Sequence, residues 1–231
     1  MSMTFFVFSN SSDETNKLKS VLNSQFKIKD LGHLRQCLGM TVSYDKNNKV
    51  LTLDQSNYID KLLLKFNLVN CKSVETPMEC GLKLVKNNSC DKSLPYQQLI
   101  GSLMYLAILT RPDIAFAVGY LSQFNNCYSK EHWTHAKRIL RYLKGTKDYC
   151  IKYCGTGNKE IVGYVDADWG SDISDRKSYT GFCFNLSGGV ISWGCKKQKN
   201  VALSSTEAEY IGLSECCKEA IYVRNLQKEI L

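Results

Sequence analysis

Tyr164-Val165-Asp166-Ala167-Asp168-Trp169 is the stretch on which the fold turns. Residues 161–166 read as an apolar strand that ends on a carboxylate. A carboxylate there needs a reason: it caps a turn or it binds something. Side chains alternate along a strand, so Asp166 and Asp168 share one face. Two more strands are expected at 178–185 and 190–193, joined by the tight turn Leu186-Ser187-Gly188-Gly189. A long helical pattern follows from about Thr206, with Glu207 in its first turn. Three strands and one long helix make residues 156–231 a small α/β unit.

Working upstream, the texture is helical. Gly145 suits the end of a helix that begins near Ser129. A helix through Ile114, Val118, Leu121 and Phe124 precedes it, with Pro112 in its first turn. Pro95 opens another, from Tyr96 to Leu109. Residues 70–94 are polar, with Pro77 inside and Asn87-Asn88-Ser89 near the end, and read as a loop or linker. Before them, Tyr58, Ile59, Leu62, Leu63 and Phe66 have helical spacing. Two strands at 37–44 and 49–53 flank the polar turn Asp45-Lys46-Asn47-Asn48. Ser11-Ser12-Asp13-Glu14 resembles a capping box for a helix with Leu18, Val21, Leu22 and Phe26 on one face. The chain therefore divides into 1–70, a linker at 71–94, a helical connection at 95–155 and the unit at 156–231. The class is α/β of the α+β kind.

Composition bounds the function. The 231 residues are 44% apolar and 23% charged, which suits a globular chain and excludes wholesale disorder or a coiled-coil rod. The longest apolar runs fall far short of the roughly 20 residues of a membrane span, so no membrane partner is expected. Phe5-Phe6-Val7-Phe8 lacks the basic lead-in and cleavage site of a secretory signal. The formal charge is +8 and is unevenly spread: residues 1–155 hold 21 basic and 12 acidic side chains, residues 156–231 hold 9 and 10. A basic first part favours a polyanionic partner, nucleic acid ahead of membrane, although surplus lysine also serves solubility. Eleven cysteines, an odd number without any C-x-x-C, read as scattered reduced thiols in an intracellular, reducing compartment. His33, His132 and His135 form no triad pattern, and Gly155-Thr156-Gly157 lacks a phosphate-loop continuation.

Three groups of residues could do chemistry or bind. Asp166 and Glu207 are a candidate metal-binding carboxylate pair, although a glutamate in a first helical turn also suits the helix dipole with no further role. Lys137, Arg138, Arg141 and Lys144 recur at three- and four-residue steps opposite the apolar Ala136, Ile139, Leu140 and Leu143. Such a face binds phosphates or is simply solvated. Lys196, Lys197 and Lys199 form a smaller basic cluster.

These motifs together resemble a known family. Tyr164 to Trp169, Asp175-Arg176-Lys177-Ser178-Tyr179-Thr180-Gly181, Ile191-Ser192-Trp193 with Lys196-Lys197-Gln198, and Ser204 to Tyr210 resemble the ribonuclease H region of copia-type LTR retrotransposon Pol polyproteins. Upstream, Lys29-Asp30-Leu31-Gly32 through Leu38-Gly39, Thr76-Pro77-Met78, Tyr96 to Pro112 and His135 to Lys144 resemble the part after the polymerase palm. The resemblance covers nearly the whole chain. It implies a post-palm reverse transcriptase segment, a helical thumb- or connection-like segment, and a truncated ribonuclease H-like sheet with one long helix.

In that family the hydrolase cuts the RNA strand of an RNA–DNA hybrid with two divalent metals held by carboxylates. The resemblance implies Asp166 as the strand ligand, Glu207 as the helix ligand, and Mg2+ (or Mn2+) as the metal. Asp168 is not among the implied ligands. The family's Tyr-x-Asp-Asp polymerase turn does not occur; Phe5 to Asn10 resemble the strand that leaves it. The third metal-binding aspartate is expected on a strand after the long helix. With two carboxylates neither metal is well placed, and weak or no hydrolysis is expected from the chain alone. Without that later strand, residues 161–166 are expected as an open sheet edge, a surface for self-association. The alternative is a non-catalytic nucleic-acid-binding or interaction protein derived from a degenerate element.

Overall fold

The computed structural model describes residues 5–7, 9, 11–86 and 90–230. It is an α+β fold with two small antiparallel sheets and six α-helices among those residues. Of the expected strand at 5–10, Phe8 and Asn10 lie outside the described residues, and Phe5 to Val7 have no strand structure. Asn87, Asn88, Ser89 and Leu231 also lie outside them.

Helix α1 (Ser12–Gln25) starts where the capping pattern places it, with the Ser11 hydroxyl accepting from the Glu14 N–H at 3.4 Å. None of its residues is buried, and Val21 is 61% exposed, so its apolar face has no cover among the described residues. Strands β1 (Gln36–Cys37), β2 (Met40–Asp45) and β3 (Val50–Asp54) follow. Asp45 shapes the turn between β2 and β3 by accepting from the N–H groups of Asn47 and Asn48. The fourth strand of this sheet is β4 (Ile151–Cys154), which comes from far along the chain and pairs antiparallel with β3. The sequence pattern carries no sign of β4: four residues are too few to show a period, and its partner lies about a hundred residues earlier.

Helices α2 (Ser56–Lys65), α3 (Tyr96–Leu109), α4 (Ala115–Ser122) and α5 (Lys130–Gly145) build the core. A single 3-10 turn, Pro112–Ile114, links α3 to α4. Leu99, Leu103 and Leu106 of α3, Val118 of α4 and Ile139, Leu140 and Leu143 of α5 are fully buried in one cluster. Each such side chain stabilises the fold by about 1.5–3 kcal/mol relative to exposure.

His132 belongs to this interior. Its Nδ1 accepts from the Ser129 N–H at 3.1 Å, which fixes the proton on Nε2, and that nitrogen is buried without a partner. Burial holds the ring below the ordinary histidine pKa; Glu131 opposes this and His135 adds to it. The neutral form is therefore favoured in the folded state. The stabilisation is full above the unfolded value of about 6.5 and is lost as the pH falls below it. We expect the melting temperature to drop between about pH 7 and about pH 5. His132→Gln should flatten that part of the profile in a thermal melt series, and an unchanged slope would contradict this assignment.

The second sheet contains β5 (Val162–Ala167), β6 (Tyr179–Leu186) and β7 (Gly189–Lys197) in the order β5-β6-β7. Ser187 and Gly188 both take left-handed backbone angles (φ 53° and 83°), the geometry of a tight hairpin turn matched to strand twist. Helix α6 (Ser205–Ile230) lies over β5 and β6 through Ala208, Gly212, Cys216 and Val223. Gly212 permits the close approach: a Cβ there would stand 3.1 Å from Thr180 Cγ2 and 3.5 Å from Ala167 Cβ. At 26 residues α6 is about 39 Å long, roughly twice β5. Its last turns outrun the sheet, and Ile230 on the sheet-facing stripe is 71% exposed. Strand β5 has β6 on one side and no strand on the other among the described residues. Val162 and Tyr164 stand exposed on it.

The second sheet seats on the helices through β7. The Trp193 indole N–H donates to the Ala107 carbonyl of α3 at 2.8 Å, and the Tyr153 hydroxyl of β4 donates to the Val190 carbonyl at 2.7 Å. No helix among the described residues is long and apolar enough to cross a membrane.

Candidate functional site

Asp166 is the fifth residue of β5, opposite Gly181 of β6, and its side chain is exposed. Its neighbours Ala167 and Thr180 face α6, so strand alternation places Asp166 on the other face of the sheet. Glu207 lies on the flank of the first turn of α6, beside the buried Ala208. It caps its own helix: its N–H donates to the Ser204 hydroxyl at 3.1 Å, and its Oε2 accepts from the Leu203 N–H at 2.6 Å. The two carboxylates nevertheless belong to the same end of the sheet. Just beyond Asp166, the Trp169 indole N–H donates to the Ala202 carbonyl at 3.1 Å, tying the exit of β5 to the segment that enters α6. Asp168 builds the loop after β5, accepting from the Tyr179 N–H at 3.0 Å and the Ser171 hydroxyl at 2.7 Å.

A magnesium ion is held by several oxygens in near-octahedral geometry. Among the described residues no group of three or more His, Cys, Asp or Glu side chains is placed to hold a metal ion. One Glu207 oxygen is already engaged at the helix start, and Asp166 points to the face away from α6. The pair does not by itself fit Mg2+ or Mn2+.

The basic residues divide by what they touch. On α5, Arg138 donates to Glu79 Oε1 at 2.9 Å and to the Thr76 hydroxyl at 3.0 Å. Arg141 Nε donates to the Lys72 carbonyl at 2.8 Å. The Lys144 ammonium donates to the carbonyls of Val69 and Cys71, both at 2.7 Å. This face thus clamps residues 69–79 along the helix. Lys137 instead sits over the Trp133 ring, 5.7 Å from its centroid.

Lys196 of β7 and Lys199 just beyond the strand are exposed, whereas Lys197 is drawn inward. The Lys197 ammonium lies 2.6 Å from Asp172 and 2.9 Å from Asp175, and donates to Gln123 Oε1 at 3.1 Å. Burial alone would lower the Lys197 pKa and raise that of Asp172; their mutual contact outweighs this, so Lys197 moves up and Asp172 moves down.

Two polar centres escape a reading of the sequence. Arg111 is buried and bonded to Asp113, and the Tyr142 hydroxyl donates to the same carboxylate at 2.8 Å. Gln198 is buried beneath α6 and donates to the Thr180 hydroxyl and the Ala208 carbonyl, both at 2.9 Å. Arg-Pro-Asp is visible as a helix break, but its partners come from α5 and cannot be read locally. A cavity of about 500 Å³ between α3, α4, β4 and β7 is lined mainly by apolar side chains, including Met104, Ile108, Ile151 and Trp193, and holds no carboxylate.

Residues 3–80 match the family described as reverse transcriptase (RNA-dependent DNA polymerase). The Pol polyprotein of the tobacco (Nicotiana tabacum) transposon TNT 1-94 is 45% identical over 223 residues, covering 93% of this chain and 17% of the relative. An uncharacterized mitochondrial protein of Arabidopsis thaliana is 35% identical over 202 residues, covering 86% of this chain and 82% of the relative. The chain belongs to the copia-type transposon Pol family. A secreted RxLR effector protein of Plasmopara viticola is also similar, 48% identical over 132 residues, covering 57% of this Pol chain and 93% of the relative. No solved structure matches this Pol chain. It spans less than a fifth of the tobacco polyprotein's length. Its first part is reverse-transcriptase-like, a class that works on nucleic acid with divalent metals.

Proposed function

We propose that the chain is the stretch of Pol that joins the end of reverse transcriptase to the front of ribonuclease H, and that it binds nucleic acid without cutting it. In this reading residues 1–70 are the post-palm segment, 71–94 a linker, 95–155 the thumb- or connection-like helices, and 156–231 the start of a ribonuclease H-like domain. The observation that carries it is the Trp169–Ala202 hydrogen bond, which brings the Asp166 strand end and the Glu207 helix start to one end of a β5-β6-β7 sheet.

Two divalent ions, when bound in an intact site, activate water and stabilise the leaving oxygen. This chain's own contribution is smaller: Asp166 offers an exposed carboxylate and Glu207 holds the start of α6 in register. The substrate class is an RNA–DNA hybrid, met through cationic side chains, in a reducing intracellular compartment. The open edge of β5 is a surface for self-association. A non-catalytic interaction role is the second reading, favoured by the match to nearly the whole of a secreted effector.

Fluorescence anisotropy with a labelled hybrid duplex tests the binding. The expected result is an affinity that falls steeply as salt is raised, because phosphate contacts release counterions. Absence of binding, or a flat salt response, would overturn the proposal.

A further inference from the structure

The clamp on α5 is more than a structural fastening. Residues 69–79 satisfy the geometry of the cations while leaving most of their charge in place. Arg138 alone meets a carboxylate, that of Glu79. Arg141 and Lys144 are held by main-chain carbonyls, which orient a cation but leave its charge in place. Glu75 is the only other acidic residue in this segment, and Lys72 adds a further positive charge.

Arg141 is the instructive member. Its Nε is tied to the Lys72 carbonyl, while its two terminal nitrogens make no hydrogen bond among the described residues. A guanidinium anchored at Nε presents a planar fork of fixed direction, and that fork matches the spacing of phosphate oxygens. Little side-chain entropy remains to be lost on binding. Lys72 is exposed, and its backbone is the anchor point. Lys144, half-buried on the same helix face, is fixed by two carbonyls.

We propose that Arg141, Lys72 and Lys144 form a preorganised contact for the phosphate backbone of a nucleic-acid duplex, built jointly by α5 and residues 69–79. This rests on the nucleic-acid reading above and adds Lys72 to it. It also divides the three basic side chains of α5 that hold this segment into roles: Arg138 fastens it, and Arg141 and Lys144 present charge.

The test is anisotropy of a labelled RNA–DNA hybrid across a salt series, with thermal melts of each variant. Lys72→Ala leaves the anchoring carbonyl in place, and Arg141→Lys keeps the charge but removes the fork. For Lys72→Ala we expect several-fold weaker binding, a salt slope shallower by about 1, and an unchanged melting temperature. For Arg141→Lys we expect weaker binding with the salt slope retained. Wild-type binding that both variants match would overturn the assignment and leave the broader reading intact. A wild-type chain that fails to bind the hybrid overturns both.

Discussion

Asp113→Ala should unfold at a much lower urea concentration than the wild type, with a loss of about 3–5 kcal/mol. The side chain of Arg111 is 2% exposed, and Asp113 is the carboxylate that neutralises it. Arg111 Nε lies 3.0 Å from Asp113 Oδ1 and Nη2 lies 2.7 Å from Oδ2, a two-pronged contact. Nη1 donates to the Thr146 carbonyl at 3.0 Å, and the Tyr142 ring lies 5.6 Å from the guanidinium carbon. The alanine variant strands a guanidinium in the interior with its charge uncompensated. It also deprives the Tyr142 hydroxyl of its acceptor. Domains of this size are held by roughly 5–15 kcal/mol, so the loss is a large share of the total. Denaturant melts monitored by circular dichroism measure it. A change below about 1 kcal/mol would show that the pair behaves as a surface salt bridge.

Lys197→Ala is expected to cost about 3 kcal/mol, the lower end of the range for breaking a buried pair, because Lys197 is still 20% exposed. The Asp172 side chain is 7% exposed and would lose its principal counter-charge. It keeps only the Ser174 hydroxyl, at 2.6 Å, and the Ser174 N–H, at 2.8 Å. Its pKa should climb from its depressed value. In the wild type that depression stabilises the fold above the ordinary carboxylate pKa, and the stabilisation is lost as the pH falls through the lowered value. The variant should therefore show a weaker acid dependence as well as a lower melting temperature. Lys197→Ala melting like the wild type at neutral pH would sink this account of the loop between β5 and β6.

Lys197 also shows where a reading of the sequence stops. Lys196, Lys197 and Lys199 count as one basic cluster along the chain. Neighbouring residues on a strand face opposite sides. Lys196 therefore shares a face with Thr180 and α6, while Lys197 turns toward Tyr179 and Gln123. The same limit applies to Arg138, Arg141 and Lys144. Their helical spacing revealed a basic face, but what lies on it comes from residues 69–79, about sixty to seventy-five positions earlier.

Local signals were legible where the physics is local. Helix α3 begins after Pro95 and ends at Leu109, as its apolar run predicts, and the Ser187-Gly188 turn falls between β6 and β7 as its glycines require. Strand β4 depends on a distant partner and left no local trace, and of the Arg111–Asp113 centre only the helix break is local, since Tyr142 and Thr146 come from α5 and its C-terminal end. For Asp166 and Glu207, the motif singled out two carboxylates that the fold places at one end of the second sheet. It did not reveal that Glu207 spends an oxygen on capping α6, nor that Asp166 faces away from that helix.

On the proposed function, this Pol segment engages nucleic acid but does not by itself assemble a hydrolytic metal site. Incubating the whole chain with an end-labelled RNA–DNA hybrid in Mg2+, and separately in Mn2+, measures this directly. The RNA strand is predicted to stay intact in both metals. Cleavage by the wild type that disappears in Asp166→Asn would contradict the claim.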